Sequence, residues 1–368
     1  MSKVPPFDVT QQFQQIGNDL SREVTAVLAS GQYIGGPNVG QFEVEFAEYT
    51  GSRYGIACNS GTDALYLGLR ALGVGQGDEV ITTPFTFFAS AEVISMVGAK
   101  PIFVDIEADS FNINLDQLEQ AITDRTRAIL PVHLFGRPLD MGRLMAIATA
   151  HNLYAIEDCA QATGATWEGK RVGSMGDVGC FSYYPTKNLG GCGDGGMVTT
   201  NNLAIAEQIQ ILREHGSARR YYHSHIGMNS RLDAIQAAIL RVKLPHLDRW
   251  NHLRSEIADR YEQLLKHVPG VITPPQCPGS VWNQYTIRLI DRDRDAVQAS
   301  LREQGVITIT YYPLPLHLQE VYKHLGYTQG SFPVAETVCT QVLSLPMFPE
   351  LSELQQVEVV DALKNALS

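Results

Sequence analysis

From Tyr54 to about Thr200 the chain alternates short apolar runs with stretches whose apolar residues recur at helical spacing. Few folds satisfy such a pattern. Runs at Tyr54–Cys58, Glu79–Thr83, Pro101–Val104 and Ala128–Val132 read as strands, as do Leu153–Ile156 and Val178–Phe181. Between them, Gly61–Leu72, Thr86–Val97, Leu115–Ile122 and Met141–Ala150 read as helices. This alternation predicts an α/β fold, a mainly parallel sheet covered by helices on both faces. Ligands on that architecture sit beyond the carboxyl ends of the strands.

After Asp233 the character changes. An amphipathic helical region runs from about Asp233 to Lys266 and contains Pro245, which should kink or break it. A proline-rich stretch, Pro269–Pro278, precedes an α+β segment with expected strands at Gln284–Ile290 and Val306–Tyr312 and a helix from Ser352 to the end. A chain of 368 residues has room for two cores. The expected division is 1–245 as a large domain and 246–368 as a small one.

A formal net charge of −11 argues against a nucleic-acid binder, because no basic field is available to displace phosphate counterions. No apolar stretch approaches a membrane span, and the first twenty residues lack a signal-peptide core. The six cysteines show no CxxC pair, and Cys58, Cys159 and Cys180 lie in apolar runs, as buried thiols in a reducing compartment would. A cytoplasmic location is the expectation. The ten histidines show no metal-ligand spacing, and no metal is expected.

Two strand ends release chemistry-bearing residues. Leu153–Ile156 leads into Glu157-Asp158-Cys159-Ala160-Gln161, and Val178–Phe181 leads into Ser182-Tyr183-Tyr184-Pro185-Thr186-Lys187. A carboxylate at one strand end and an amine at another suit a coenzyme with a pyridine nitrogen and an aldehyde, namely pyridoxal 5'-phosphate (PLP). The acid keeps the ring nitrogen protonated and the amine forms a Schiff base. Either residue could instead be structural, Asp158 as a helix cap and Lys187 as a solvent lysine. Lys187, however, sits between Tyr183-Tyr184-Pro185 and the glycine-rich Gly190–Gly196, where aromatic walls exclude water and glycines admit a ligand.

Asn59-Ser60-Gly61-Thr62-Asp63 joins a strand to a helix start, an anion site suited to the coenzyme phosphate or else a plain N-cap. Ser182 could add a hydroxyl there. One ring among Phe85, Phe87 and Phe88 could lie on the pyridine face. Ser217–Arg231 is locally basic through Arg219, Arg220, His223, His225 and Arg231; it either attracts a nucleotide diphosphate or a sugar carboxylate, with Arg231, two residues after Asn229, the stronger candidate, or is a solvated loop in which Arg219 and Arg220 snorkel.

The stretches GQYIGGPNV, SGTDAL, GDEVITTPFTFFAS, GAKPIFVDI, IEDCAQATGA, FSYYPTKNLGGCGDGG, REHGS and GMNSRLDAIQAAIL, in that order, resemble the DegT/DnrJ/EryC1/StrS family. YYPLPLH and SLPMFP extend the likeness to the C-terminal part. The resemblance implies a fold-type I PLP enzyme, with a large seven-stranded domain, a small α+β domain and an N-terminal segment near the small domain. It also implies a homodimer with shared active sites. On this likeness Lys187 holds the coenzyme covalently, Asp158 pairs with the pyridinium nitrogen and Gln161 bonds near the 3-oxygen. Phe87 stacks on the ring. Ser60, Gly61, Thr62 and Ser182 bind the phosphate, completed by Asn229 from a neighbouring subunit. Arg231, Tyr312, Tyr33 and His317 are the expected substrate contacts.

The implied activity is transfer of an amino group from L-glutamate, released as 2-oxoglutarate, to C3 of a UDP- or dTDP-linked keto-sugar nucleotide. The look of REHGSARRYYH, AVQASLREQGV and YYPLPLH favours a UDP-2-acetamido-3-keto-glucuronate type over a dTDP-3-keto-6-deoxyhexose type. Tyr311-Tyr312 stands where the uronate enzymes are expected to have His-Tyr. Relatives that are dehydratases carry histidine in place of the lysine, which Lys187 argues against. A desulfurase would need Cys192 as a nucleophile. A non-enzymatic regulator would not be expected to keep Asp158, Gln161, Ser182 and Lys187 together.

Overall fold

The computed structural model describes residues 4–368. Seven strands form one sheet in the order Tyr54–Cys58, Gly196–Thr200, Val178–Ser182, Tyr154–Asp158, Thr126–Ile129, Glu79–Thr82 and Lys100–Phe103. The last five of these run parallel to one another. Gly196–Thr200 is antiparallel to both neighbours. The mainly parallel sheet is as expected; the antiparallel strand lay hidden behind its glycine-rich approach.

Pleating explains the continuous apolar runs. Ile81, Ile129 and Ala155 face one side of the sheet, and Val80, Ala128, Leu130 and Ile156 face the other. Because successive residues point to opposite faces and helices cover both, the middle of each strand is apolar on both faces, with polar residues kept to the strand ends and edges. Helix Pro37–Thr50 adds Phe42 and Phe46, which meet Tyr183 and Phe181 edge-on at centroid separations of 5.3 and 4.9 Å.

Pro245 breaks the long helical region as its ring requires, in a 3-10 turn at Leu244–His246 between helices Ala234–Lys243 and Leu247–Leu265. The second of these helices bridges two cores. Leu247 packs beneath the large sheet, whereas Ile257, Tyr261 and Leu265 join a separate core with Val4, Tyr285, Ile287, Leu343, Val359 and Leu363. A three-stranded antiparallel sheet, Val271–Ile272, Tyr285–Leu289 and Val342–Leu345, supports that core. Helix Glu353–Leu367 covers it, opened by a capping box between Ser352 and Gln355.

One expectation is corrected here. Val306–Tyr312 is not a strand. Val306 bridges Val4, and Ile309 bridges Ser344, so the segment divides its hydrogen bonds between two neighbours and no ladder forms. No helix among the described residues is long and apolar enough to cross a membrane.

A buried polar cluster locks the loop that follows the central strand. Glu157 is fully buried and accepts N–H bonds from Gly173, Met175 and Gly176 at 2.8, 2.9 and 2.6 Å. His133 Nε2 adds a fourth at 3.1 Å, its tautomer set because Leu139 N–H donates to Nδ1. Cys159 lies beside this pair, but the ligating atoms of His133 and Glu157 are already bonded, so the three form a hydrogen-bond network rather than an ion cradle. Burial opposes the Glu157 charge, yet His133 and the backbone donors hold its carboxyl below the ordinary value.

Glu157→Ala strips four donors of their acceptor and should cost about 3–5 kcal/mol in urea unfolding at neutral pH. A group with a lowered native value contributes fully above the usual carboxylate range and loses that contribution as the pH falls through the native value. The gap between wild type and variant should therefore narrow on acidification.

Candidate active site

The carboxyl ends of the central strands open into a cavity of about 530 Å³, within the range of small-molecule sites. Asp158 and Lys187 both line it, as do Ser60, Gly61, Thr62, Phe87, Gln161, Ser182 and Tyr312. Nine of the thirteen residues expected at the site thus converge on one space.

Asp158 is the last residue of strand Tyr154–Asp158 and is buried. Its backbone N–H donates to the Pro131 carbonyl, and its own carbonyl accepts from His133 N–H, so the main chain around it is fixed on one side. The carboxylate accepts from Ser90 Oγ at 2.8 Å on Oδ2 and from Ala160 N–H at 3.1 Å on Oδ1. Burial raises its pKa, opposed by those two bonds and by the positive charge of Lys187.

Lys187 follows a turn in which its N–H donates to the Tyr184 carbonyl, and its side chain is half-buried in the cavity wall. Burial pulls the amine down to about 8, and only the Asp158 charge opposes the fall. An amine at that value is a usable nucleophile and proton carrier near neutral pH.

Gln161 is oriented by the backbone. Phe135 N–H donates to its Oε1 at 2.7 Å, which turns Nε2 toward Tyr312, whose hydroxyl oxygen accepts at 3.1 Å. Burial pushes the Tyr312 phenol well above its ordinary value, so it stays neutral with its own proton free to donate. Phe87 is 58 % exposed, and its ring centroid stands 6.3 Å from that of Tyr312.

The same cavity is also lined by a helix start with anion-binding character. Helix Gly61–Ala71 begins there with its free backbone N–H groups and positive dipole end. A Cβ at Gly61 would sit 2.7 Å from the Ser182 Cβ, so only glycine lets the helix start meet that strand end. Ser60 takes the N-cap role, its Oγ accepting from Asp63 N–H at 3.1 Å. The plain-cap alternative thus describes Ser60, with Ser60 rather than Thr62 or Asp63 as the capping group. Gly61, Thr62 and Ser182 remain directed at the cavity.

Four expected residues are not brought to this cavity within one protomer. Asn229 is exposed in a bridge to Glu214. Arg231 pairs with Glu214 at 3.3 Å. Tyr33 is 47 % exposed and donates to the Leu28 carbonyl at 3.3 Å. His317 is fully buried, with Nε2 3.0 Å from Glu336 Oε1 and its ring edge-on to Phe332, which makes it a core residue in this chain. Conversely, Thr86, Tyr184, Thr186, Asp194, Gln284 and Tyr311 line the cavity, and Ser90 stands behind Asp158. Sequence spacing gives no signal for Ser90, which sits in the mostly apolar helix Ala89–Met96, or for Gln284, immediately before strand Tyr285–Leu289.

These residues fit PLP on their own chemistry. One wall holds a carboxylate for a ring nitrogen, another holds an amine of lowered pKa for an aldehyde, and a glycine-dependent helix start supplies N–H groups for a phosphate. Cys192 is exposed in the glycine-rich loop, and no cysteine among the described residues lines the cavity.

Comparison with known proteins agrees. Residues 14–364 match the model of the DegT/DnrJ/EryC1/StrS aminotransferase family. A protein named pleiotropic regulatory protein from Geobacillus stearothermophilus is 50% identical, over 97% of this chain and 97% of its own. A dTDP-3-amino-3,4,6-trideoxy-alpha-D-glucose transaminase from Streptomyces venezuelae is 43% identical over 99% and 96%. A UDP-N-acetyl-3-dehydro-alpha-D-glucosamine 3-aminotransferase from Acidithiobacillus ferrooxidans is 43% identical over 99% and 98%. The crystal structure of DesV from S. venezuelae in complex with a ketimine intermediate superposes with a TM-score of 0.96 at 42% identity, covering 99% of this chain and 98% of that one. With the family model matched over residues 14–364, the chain belongs to the DegT/DnrJ/EryC1/StrS family and is a PLP-dependent aminotransferase.

Proposed function

We propose that this enzyme transfers the amino group of L-glutamate to C3 of a keto-sugar nucleotide, in the biosynthesis of an amino-sugar-bearing glycan. The observation that carries this reading is the convergence of Asp158 and Lys187 on one cavity whose far rim is the start of helix Gly61–Ala71. Relatives that act at C3 of dTDP- and UDP-linked sugars, each matched over almost the whole chain, support the substrate class.

Bound PLP supplies an aldehyde for amine exchange and a protonated ring that withdraws electrons from the reacting carbon. Asp158 would hold the proton on the ring nitrogen. Lys187 Nζ would anchor the aldehyde, then take the α-proton of the donor and return a proton to the acceptor sugar. Gln161, its amide oriented by the Phe135 N–H, would donate from Nε2 to the 3-oxygen. Phe87 would cover one ring face, and Gly61, Thr62 and Ser182 would hold the phosphate. Serving two bulky substrates in turn, the cavity stays open at the side of Phe87 and Tyr184, both more than half exposed.

Two acceptor types were expected. A uronate carboxylate needs a cation, and Lys187 is the one cationic residue that lines the cavity among the described residues, because Arg231 is held by Glu214 outside it. A uronate substrate therefore requires a cation from a second copy of the chain, consistent with the proposed shared-site homodimer. A neutral deoxyhexose needs none.

Borohydride treatment of the PLP-loaded enzyme should fix the coenzyme to the Lys187 peptide, seen by mass spectrometry. Lys187→Ala should lose that adduct and at least about 100-fold in turnover; retained turnover would refute the assignment. The rate of PLP uptake by coenzyme-free protein should rise with pH through about 8, as the amine gives up its proton. Asp158→Asn, which removes the charge that raises Lys187, should move that midpoint to lower pH. With glutamate as donor, both keto-sugar nucleotides should be screened by mass spectrometry for the aminated product. Turnover of the deoxy-sugar alone would exclude the uronate, and turnover of neither would sink the proposed substrate class.

A further inference from the structure

Helix Ala89–Met96 presents a buried serine where an apolar residue would pack. Ser90 is fully buried between Ala89 and Ala91, with Val93 and Ile94 on the same short helix. A buried hydroxyl destabilises the fold unless it is bonded, and helical serines commonly bond back to a carbonyl one turn earlier. Ser90 instead reaches 2.8 Å to Asp158 Oδ2, across 68 residues of sequence. Behind it, the buried Thr86 Oγ1 lies 3.1 Å from Ser90 Oγ.

The direction of this chain follows from proton counting. An ionised carboxylate has no proton to give, and a serine hydroxyl has one. Ser90 therefore donates to Asp158, and Thr86 must donate to Ser90. The Ser90 hydroxyl donates to Oδ2 and is itself polarised by the Thr86 hydroxyl, while Ala160 N–H holds Oδ1 at 3.1 Å. Together these bonds fix the carboxylate torsion and stabilise its charge in a site where burial opposes it.

We propose that Ser90, backed by Thr86, is a positioning residue that keeps Asp158 ionised and aimed at the coenzyme ring nitrogen. This rests on the reading of Asp158 given above. The charged group facing Asp158 is Lys187, whose positive charge favours its ionised form, and its other titratable neighbours are His133, whose Nδ1 accepts from Leu139 N–H, and the neutral Tyr312 phenol. Cys159 and Cys180 are buried thiols held neutral by burial. Glu157, the preceding strand residue, points to the opposite face and is fully bonded there.

The test begins with coenzyme-free protein carrying ¹³C-labelled aspartate carboxyls, the Asp158 signal being assigned by its loss in Asp158→Asn. Ser90→Ala should raise the titration midpoint of Asp158 by about one unit, a tenfold change in its ionisation equilibrium. Ser90→Thr, which keeps the hydroxyl, should restore the wild-type midpoint, and Thr86→Val should shift it the same way by less. In the PLP-loaded enzyme, Ser90→Ala should move the acid limb of the kcat profile to higher pH by the same amount and leave KM for glutamate unchanged. An unmoved midpoint in both Ser90→Ala and Thr86→Val, with Asp158→Asn inactive, overturns the role of Ser90 and leaves that of Asp158 intact. A fully active Asp158→Asn overturns both. Should Ser90→Ala fail to fold, the Thr86→Val and Ser90→Thr titrations decide alone.

Discussion

The structure depends on two adjacent carboxylates at the end of its central strand. Pleating sends Glu157 and Asp158 to opposite faces. Glu157 is spent entirely inward, accepting three backbone N–H groups and His133, and so it fixes the segment Gly173–Gly176 that leads into strand Val178–Ser182. Asp158 is spent outward, into the cavity, with only two protein donors on its oxygens. One carboxylate holds the scaffold and the next faces the cavity. Neither can be moved by a residue without exchanging the faces.

That arrangement also sets the electrostatics of the site. Asp158 and Lys187 line one cavity, each pushed by burial toward its neutral form and each pulled back by the other's charge. The lysine ends near 8, low enough to react and high enough to carry a proton. The anion rim is built without a cation from this chain. A helix start, a hydroxyl and a glycine packed against Ser182 make it, and close backbone approach replaces a charged side chain.

Much of this was legible in the chain itself. Asp158 and Lys187 could be singled out because strand ends in a parallel sheet point to one edge, and because Lys187 is framed by aromatics and glycines. Gly61 and Thr62 followed from a strand-to-helix junction, and the break at Pro245 from the geometry of its ring. Less legible were features that pair distant segments. Val306–Tyr312 has strand composition but bonds to two different neighbours, whereas Val342–Leu345 is a strand because Tyr285–Leu289 lies beside it. His317 stood in a motif but is consumed by Glu336 in the core.

Local sequence determined the alternation of strands and helices, the residues at the strand ends, and so the kind of coenzyme the chain can hold. These are properties of periodicity and side-chain chemistry within a few residues. Tertiary structure alone decided which of those residues share a cavity, that the Gln161 amide turns on the Phe135 N–H, and that a serine 68 positions upstream faces Asp158. Hydrogen bonds and burial act through space, and a buried hydroxyl finds its acceptor only after the sheet has brought the two segments together.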